Sequence, residues 1–373
     1  MGNKHLENKK IICTVTNDLF RDRRMIRICS ALQESGAETL LIGIEKPESP
    51  ALIQQSFKQL RFKMLFKKGV LFYLEYNIRL FFYLMFHDFD IVNTVDTDTV
   101  IPGFIISRIK RKKIVFDAHE YFTGVPELQN RRLKKNIWDL MEKIVLTKIK
   151  DNYTVSQSLK KLYESKTGQK YEVVRNFPLK SKYAGIEIPD KGLSKDIVIA
   201  YVGALNKGRG LESALEMLTY LGKRYKLLLI GGGDLEDELK TLAVQLKLSE
   251  RVQFTGWVNP DRIPQLLNKS HIGLNLLDED SLSYRMSLAN KVFDYIHLGI
   301  PCLTMDFDEY KIINNKYNCF IFTGTLDPET NCKLIELLIS DEGKYNDLKQ
   351  KSLEASCDMV WEKEKEKLEK IYF

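Results

Sequence analysis

Short apolar runs rich in β-branched residues alternate along this chain with segments that have the spacing of amphipathic helices. Such alternation is typical of parallel sheets whose strands are joined by helical crossovers. We predict strands over 10–17, 38–44, 89–96, 113–119, 151–156 and 171–176, and then over "IVIAYVG", "YKLLLIGGG", "RVQFTGWV", "HIGLNLL", "PCLTMD" and "CFIFTG". The pattern therefore predicts an α/β protein.

One stretch interrupts this alternation. "FPLKSKYAGIEIPDKGLSKD" is rich in Pro, Gly, Lys and Ser and lacks apolar periodicity, as linkers do. The 373 residues also suit about two domains. We predict doubly wound domains at 1–180 and 196–353, a linker at 181–195, and a last helix within 354–373 that crosses back to the first domain. Ligands of such sheets bind beyond the C-terminal strand ends, so we expect a site in the cleft between the domains.

Composition and charge indicate a globular protein and argue against a nucleic-acid-binding or metal-binding protein. Apolar residues make up 44% and charged residues 29%, as in soluble globular proteins. The net charge of +7 is spread along the chain, which suits an anionic substrate or membrane surface and not nucleic acid. The six cysteines form no C-x-x-C pair and the five histidines lack ligand spacing, so we expect reduced thiols and no metal site. Because the N-terminus lacks the apolar region of a secretory signal, we expect a cytoplasmic protein.

Two segments in the second half have the features of an anion site. "YVGALNKGRG" (201–210) follows a predicted strand and leads through a Gly-rich loop into a helix, whose positive end would face an anion. "NKVFDYIHLGIP" (290–301) opens another helix with Asn290 and Lys291. A lysine there is unfavourable for the helix dipole, which indicates that a bound anion offsets it. Together the two helix starts suggest a clamp for a diphosphate.

Two phosphate-binding fingerprints fail. "GALNKGRG" has Arg209 and Gly210 where a P-loop needs Lys and then Ser or Thr. "GGGDLEDEL" follows a strand and opens a helix, but Glu236 stands at the third glycine of a Rossmann fingerprint. We therefore expect neither a P-loop nor a dinucleotide site.

The most apolar stretch, 70–86, reads "VLFYLEYNIRLFFYLMF" and follows the basic segment "RFKMLFKK". It carries Glu75, Asn77 and Arg79 and is slightly short for a membrane span. Two interpretations stay open. A helix that is apolar on most sides is usually buried in a core. Alternatively, it lies at the inner face of the cell membrane, with Lys and Arg on anionic headgroups and aromatic rings at the acyl boundary.

Several segments together resemble a known family. "DAHEYFTGVPELQNRRLKKNIWDLMEKIV" (117–145), "LANKVFDYIHLGIPCL" (288–303), the opening "TVTNDLFRDRRMIRICSALQESG" and the final "WEKEKEKLEKIY" resemble the retaining, nucleotide-sugar-dependent glycosyltransferases of family 4 that build bacterial surface glycans. The resemblance implies the GT-B fold, in which two Rossmann-like domains, one for the acceptor and one for the donor, face a cleft. It also implies a metal-independent enzyme without a cofactor, because the nucleotide-sugar is a substrate.

The resemblance assigns the donor site. Family 4 enzymes stabilise the departing diphosphate with two basic residues, of which the first falls on Ala204 here and the second near Arg209. Lys291 would supply the missing charge. Asp294 matches a glutamate that holds the ribose, whereas the glutamate that contacts the donor sugar falls on Met286. The predicted donor-binding residues are Gly203, Arg209, Gly210, Asn290, Lys291 and Asp294.

The catalytic and acceptor residues are predicted in the first half. His119 matches a family histidine beside the donor sugar, and imidazole can donate a hydrogen bond near neutral pH. Glu120 would orient His119 or bind acceptor hydroxyls, and Asp117 belongs to the same predicted catalytic group, unless Asp117 and His119 only cap the strand. Asn17 and Asp18, after the first strand, would line the cleft or form only a capped turn.

These residues predict a glycosyltransferase that moves a sugar from a nucleotide-sugar to a hydroxyl of a glycan or lipid-linked acceptor in bacterial surface polysaccharide synthesis. Ala204 and Met286 favour an alternative, a GT-B-like protein that binds nucleotide or scaffolds a pathway without transfer. A GT-B epimerase is a third interpretation. No nucleic-acid partner is expected.

Overall fold

The computed structural model describes residues 6–20, 22–119, 143–190, 192–193 and 195–373. The chain divides into two compact units, the first of which comprises Met1–Asn176 with Glu364–Phe373 and the second Phe177–Lys363. Each unit contains one parallel sheet, so the predicted α/β class is confirmed.

The first unit is built on a seven-stranded sheet in the order β3-β2-β1-β4-β5-β6-β7. Its strands are β1 (Lys10–Asp18), β2 (Glu38–Glu45), β3 (Lys58–Lys63), β4 (Ile91–Val95), β5 (Lys113–Ala118), β6 (Asp151–Thr154) and β7 (Glu172–Val173). Its helices include α1 (Arg23–Glu34), α2 (Val70–Phe86), α3 (Asp96–Lys110) and α4 (Gln157–Thr167). The order reverses between β1 and β4, so loops after these strands flank the switch point where doubly wound sheets bind ligands.

The second unit is built on a six-stranded sheet in the order β10-β9-β8-β11-β12-β13. Its strands are β8 (Ile197–Val202), β9 (Tyr225–Ile230), β10 (Val252–Phe254), β11 (Ile272–Asn275), β12 (Cys302–Met305) and β13 (Phe320–Thr323). The α-helices described after residue 195 are α5 (Leu211–Tyr220), α6 (Glu236–Gln245), α7 (Ile263–Leu267), α8 (Leu282–Met286), α9 (Asn290–His297), α10 (Asp308–Tyr317), α11 (Pro328–Ser340), α12 (Glu342–Ser356) and α13 (Trp361–Tyr372), the last of which ends in the first unit. The order reverses between β8 and β11, which places a second switch point there.

The end of α13 packs in the first unit through polar contacts. Lys113 Nζ donates to the carbonyl oxygens of Ile371 and Phe373, each at 2.8 Å. A cation is favourable at this position because the last carbonyl groups of a helix have no partner within the helix. Nearer the start of the helix, the Glu364 carboxylate accepts a hydrogen bond from the Arg175 backbone N–H at 2.8 Å.

One strand of the first unit was not predicted, and one predicted helix has both a buried and an exposed apolar side. We did not predict β3, whose sequence "KQLRFK" alternates charged and apolar residues. It is an edge strand with partly exposed side chains, and such strands lack a continuous apolar run. The helix α2 has one side buried in the core and another side that carries exposed apolar side chains, so a core position describes only part of it and the interfacial interpretation stays a prediction. No helix in the described residues is long and apolar enough to cross a membrane.

Candidate functional site

The loop after β8 lies at the switch point of the second sheet. Gly210, which precedes α5, has φ +62°, and a Cβ on it would lie 2.5 Å from the Leu276 side chain and 2.8 Å from the Leu276 carbonyl oxygen. Only glycine fits there without moving the segment that follows β11. The predicted Gly-rich loop is therefore packed against the neighbouring strand connection.

A second glycine run, which we had set aside as a failed fingerprint, supports this loop. A Cβ on Gly231 would lie 2.1 Å from the Gly203 carbonyl oxygen, so the two loops approach at backbone distance. The Leu205 N–H donates to the Gly232 carbonyl oxygen at 3.1 Å. The sequence signal for this contact was three glycines directly after a strand, a position where another backbone often approaches closely.

The helix α9 is held over the switch point by Tyr295. The ring of this residue is fully buried, and its hydroxyl lies 3.1 Å from the Ala200 carbonyl oxygen and 3.2 Å from that of Leu274. Ala200 is in β8 and Leu274 in β11, so the contact fixes the helix between the two strands that flank the switch point. Lys291, four residues earlier, is thereby placed at the same sheet edge.

Lys291 is a buried cation without a hydrogen-bond partner among the described residues. Its side chain is 5% exposed, and its Nζ donates no hydrogen bond to any described residue. The Nζ lies 4.1 Å from the centroid of the Tyr201 ring, whose hydroxyl donates to the Ala204 carbonyl oxygen at 2.9 Å. Burial, and then the positive charge of Arg209, lower the pKa of Lys291 to about 7. The first turn of α9 contains no acidic residue that could offset this charge.

Arg209 is the second cation of the site. Its guanidinium carbon lies 5.6 Å from the Tyr284 ring centroid, and its Nε is buried without a hydrogen-bond partner in the described chain. Burial raises the pKa of Tyr201 to about 12, although Arg209 acts in the opposite direction. No described carboxylate forms an ion pair with Arg209 or Lys291. The site thus holds two uncompensated cations, flanked by two tyrosines that the sequence pattern had not indicated.

The three remaining donor residues differ in their surroundings. Gly203 lines the same space, since a Cβ on it would lie 3.9 Å from Lys291 Cε. Asn290 is exposed at the start of α9. Asp294 is buried, and its Oδ1 accepts from Lys182 and from the Tyr183 hydroxyl. Asp294 thus holds a segment that we had assigned to the linker, and its contact with ribose stays a prediction.

Asp117 lies in the interior of the first unit. Its two carboxylate oxygens accept hydrogen bonds from Arg24, from Nε at 3.3 Å and from a terminal nitrogen at 2.9 Å. The two side chains are 0% and 3% exposed, and Arg24 also donates to the Val174 carbonyl oxygen at 3.1 Å. This carboxylate joins α1 to β5 and is closed off from solvent, which is the arrangement of a structural ion pair.

His119 follows β5 and is half-buried. Its backbone N–H donates to Asp96 Oδ1 at 2.8 Å, which fixes the chain where the strand ends. Glu120, the other predicted catalytic residue in this loop, lies outside the described residues. Among the described residues, no group of three or more His, Cys, Asp or Glu is placed to hold a metal ion.

The two predicted acceptor residues have separate partners. The Asn17 side-chain amide donates to Asp22 Oδ2 at 3.2 Å, next to the start of α1. Asp18 accepts from the Phe20 N–H at 3.0 Å, from Ser49, and from Arg61 at 3.4 Å. Burial opposes ionisation of Asp18, but the hydrogen bonds from Ser49 and Phe20 and the charge of Arg61 outweigh it and lower its pKa. Asp18 therefore holds its own loop, and Asn17 is the exposed member of the pair.

Comparison with known proteins gives a family match in the second unit. Residues 186–355 match the family model of the glycosyl transferases group 1. An uncharacterized glycosyltransferase of Methanocaldococcus jannaschii is 31% identical over 77 residues, which are 20% of this chain and 20% of that protein. The chain thus matches about one fifth of the length of this curated relative.

Solved structures resemble the whole chain. A sucrose-phosphate synthase from Thermosynechococcus elongatus has a TM-score of 0.78 at 13% identity, covering 98% of each chain. HepE of Anabaena in complex with UDP-glucose has a TM-score of 0.76 at 15% identity, covering 97% of this chain and 99% of HepE. At such identities the likeness shows the fold alone, and it confirms the predicted GT-B fold. The family match alone gives this chain a glycosyl transferases group 1 domain at 186–355, in agreement with the enzyme class that the sequence predicted.

Proposed function

We propose that this chain, which carries a glycosyl transferases group 1 domain at 186–355, is a nucleotide-sugar-dependent glycosyltransferase. The observation that carries the proposal is the pair of uncompensated cations, Lys291 and Arg209, at the switch point of this domain. The reaction moves a sugar to a hydroxyl of a glycan or lipid-linked acceptor in bacterial surface polysaccharide synthesis, with the retaining, metal-independent chemistry of family 4. The donor is a nucleoside diphosphate sugar, as in the HepE complex with UDP-glucose.

The site suits a diphosphate because negative charge develops on that group as the sugar leaves. Lys291 Nζ and Arg209 Nε each have an unused donor, and a diphosphate would supply both acceptors. Charge-assisted hydrogen bonds that strengthen as charge develops lower the barrier to bond cleavage. The backbone N–H groups in the first turn of α9 would add to this stabilisation, because the N-terminus of a helix attracts anions. The first turn contains no acidic residue that would repel the diphosphate.

The ribose and the sugar would be held by other residues. Both contacts of Asp294 are made by Oδ1, so we propose that Oδ2 accepts from a ribose hydroxyl. We assign His119 a contact with the reacting sugar, Glu120 and Asn17 contacts with the acceptor, and Asp117 only the positioning of β5. No cofactor takes part in this scheme.

Substitution of Arg209 should weaken donor binding. Arg209→Ala is expected to cost about 1.5–3 kcal/mol of binding free energy for a nucleoside diphosphate, or about 10- to 150-fold in dissociation constant, as for hydrogen bonds to charged groups. Isothermal calorimetry with UDP measures the difference. Arg262→Ala is the control, because Arg262 is exposed on the same unit and its loss lowers the net charge equally. Equal affinities of the Arg209 variant and this control would remove Arg209 from the site.

Turnover separates a transferase from a binding protein. Ala204, which stands where family 4 enzymes have an arginine, favours a protein that binds nucleotide without transfer. A transferase slowly hydrolyses its donor and releases nucleoside diphosphate, whereas a scaffold that binds UDP does not. The donor is first identified by thermal shift with a panel of nucleotide-sugars, since a bound ligand stabilises the folded state. Release is then measured with that donor, and binding without release would establish the alternative.

His119→Ala should lower turnover far more than donor affinity, because loss of a contact made in the transition state lowers kcat selectively. The release assay gives kcat, and calorimetry on the same preparation gives donor affinity. A folded variant with wild-type turnover would show that His119 only ends the strand.

A further inference from the structure

We infer that the exposed side of α2 and the basic segment before it dock on an anionic lipid surface. We call this surface the α2 face. It consists of Lys63, Leu65, Phe66, Lys67, Lys68, Val70, Leu71, Leu74, Ile78, Phe82 and Phe86. An apolar stripe along the helix and three lysines at its N-terminal end are thus placed together on one exposed side of the first unit.

Both sides of α2 carry a stripe of apolar residues. One stripe, Phe72, Tyr76, Leu80 and Leu84, is buried against the sheet. The other, Leu74, Ile78, Phe82 and Phe86, is exposed by 53%, 48%, 54% and 77%. Residues two positions apart on a helix point in nearly opposite directions, so the exposed stripe lies opposite the core. Surface helices normally carry polar residues there, so a continuous stripe of exposed apolar side chains indicates an interaction site.

The basic segment is fixed to the start of this stripe. The Glu75 carboxylate accepts hydrogen bonds at 3.0 Å from the backbone N–H groups of Leu65 and Phe66, and it pairs with Arg79 at 2.8 Å. Leu65 is 79% exposed and Phe66 44% exposed. The same contacts offset the negative charge of Glu75, the acidic residue within α2, so it does not repel an anionic surface.

The charges favour lipid headgroups as the occupant. Lys63, Lys67 and Lys68 are exposed, and no carboxylate among the described residues pairs with them. A second copy of this chain, packed by two-fold symmetry on the same face, would bring like charges near each other. Anionic headgroups attract each lysine instead, while the apolar stripe enters the boundary of the acyl chains.

The geometry limits the contact to the membrane surface. The 17 residues of α2 extend about 25 Å, less than the roughly 30 Å of a bilayer core, and one side of the helix is committed to the protein core. The neighbouring helix α3 adds exposed Ile105 and Ile109. Docking would bring the first unit to the bilayer, where a lipid-linked acceptor resides. The inference itself does not depend on transfer activity.

Co-sedimentation of the full chain with vesicles tests the inference. We expect the protein to bind phosphatidylglycerol vesicles at low salt and phosphatidylcholine vesicles far more weakly. Replacing the three lysines (K63Q/K67Q/K68Q) should lower the partition coefficient about 100-fold, since each lysine near an anionic surface contributes about fivefold. L74S/F82S should lower the partition coefficient at least about 10-fold, because two apolar side chains no longer enter the acyl boundary. The binding that remains should be mainly electrostatic and therefore more sensitive to salt.

Matched control variants separate the effect of the α2 face from the effect of losing positive charge or exposed apolar side chains anywhere on the protein. K170Q/K223Q/K344Q removes three exposed lysines elsewhere, and V244S/L337S removes two exposed apolar side chains from helices of the second unit. Both should bind vesicles like the unaltered protein, and all variants should keep UDP affinity if the donor site is intact. Equal recovery in the supernatant with both lipids, equal losses in test and control variants, or a dimer in light scattering that L74S/F82S dissociates would each overturn the inference.

Discussion

Lys291→Met is expected to weaken donor binding by about 30- to 5,000-fold and at the same time to stabilise the free protein. The ammonium is the most buried cation of the site and has no partner in the described chain, so a bound diphosphate would lose its closest charge. Truncation of one member of a buried charge pair costs about 2–5 kcal/mol in binding. In the free protein, the variant removes an unsatisfied buried donor, which should raise the free energy of unfolding by about 1–3 kcal/mol.

The pH dependence of the same lysine has opposite signs for stability and binding. The pKa of Lys291 is about 7 in the folded protein, whereas the ordinary pKa of a lysine side chain is 10.5. Between these values the unfolded chain binds more protons, so the free energy of unfolding rises with pH in this window. A diphosphate favours the charged form, so binding above about pH 7 requires proton uptake, and the affinity should fall by up to about tenfold per pH unit.

Calorimetry with UDP between pH 6.5 and 9, repeated in buffers of different ionisation enthalpy, measures the affinity and the proton uptake. Urea unfolding of the wild type and of Lys291→Met over the same range measures the stability. Lys291→Arg is the control, because it keeps a charge that does not titrate in this range. An affinity independent of pH, together with normal UDP binding by the Met variant, would place the diphosphate elsewhere.

Asp117→Ala is expected to destabilise the first unit by about 3–5 kcal/mol, the usual result when one member of a buried ion pair is removed. The substitution leaves the Arg24 guanidinium, 3% exposed, without its countercharge. Replacing both residues with apolar ones (R24M/D117L) should recover most of the stability, because neither charge then remains in the core.

Urea unfolding followed by circular dichroism measures these differences. Glu34→Ala is the control, since its ion pair with Lys365 lies at the surface, and its loss should cost less than about 1 kcal/mol. The opposite pattern, wild-type stability with lost turnover in Asp117→Ala, would return Asp117 to the catalytic group that the sequence predicted.

Much of the fold could be read from local pattern. The runs at β1, β2 and β5 have strand length and apolar character. β3 was not predicted, because edge strands need not have a continuous apolar run. The Gly-rich loop could be predicted because a glycine cluster between a strand and a helix is typical of an anion site. Lys291 could be predicted because a cation at the positive end of a helix is unfavourable unless an anion offsets it.

The sequence by itself determined the alternation of strands and helices, whereas the strand order that places the switch points comes from the structure. Only the tertiary structure decided which charges are free to act. Arg24 and Asp117 are 93 residues apart, and nothing in either segment indicates that they pair. In the same way, only the packing of β8 against α9 shows that Lys291 lies over Tyr201 without a partner. The physical reason is that propensity and periodicity act over a few residues, whereas burial and ion pairing depend on residues that folding brings together.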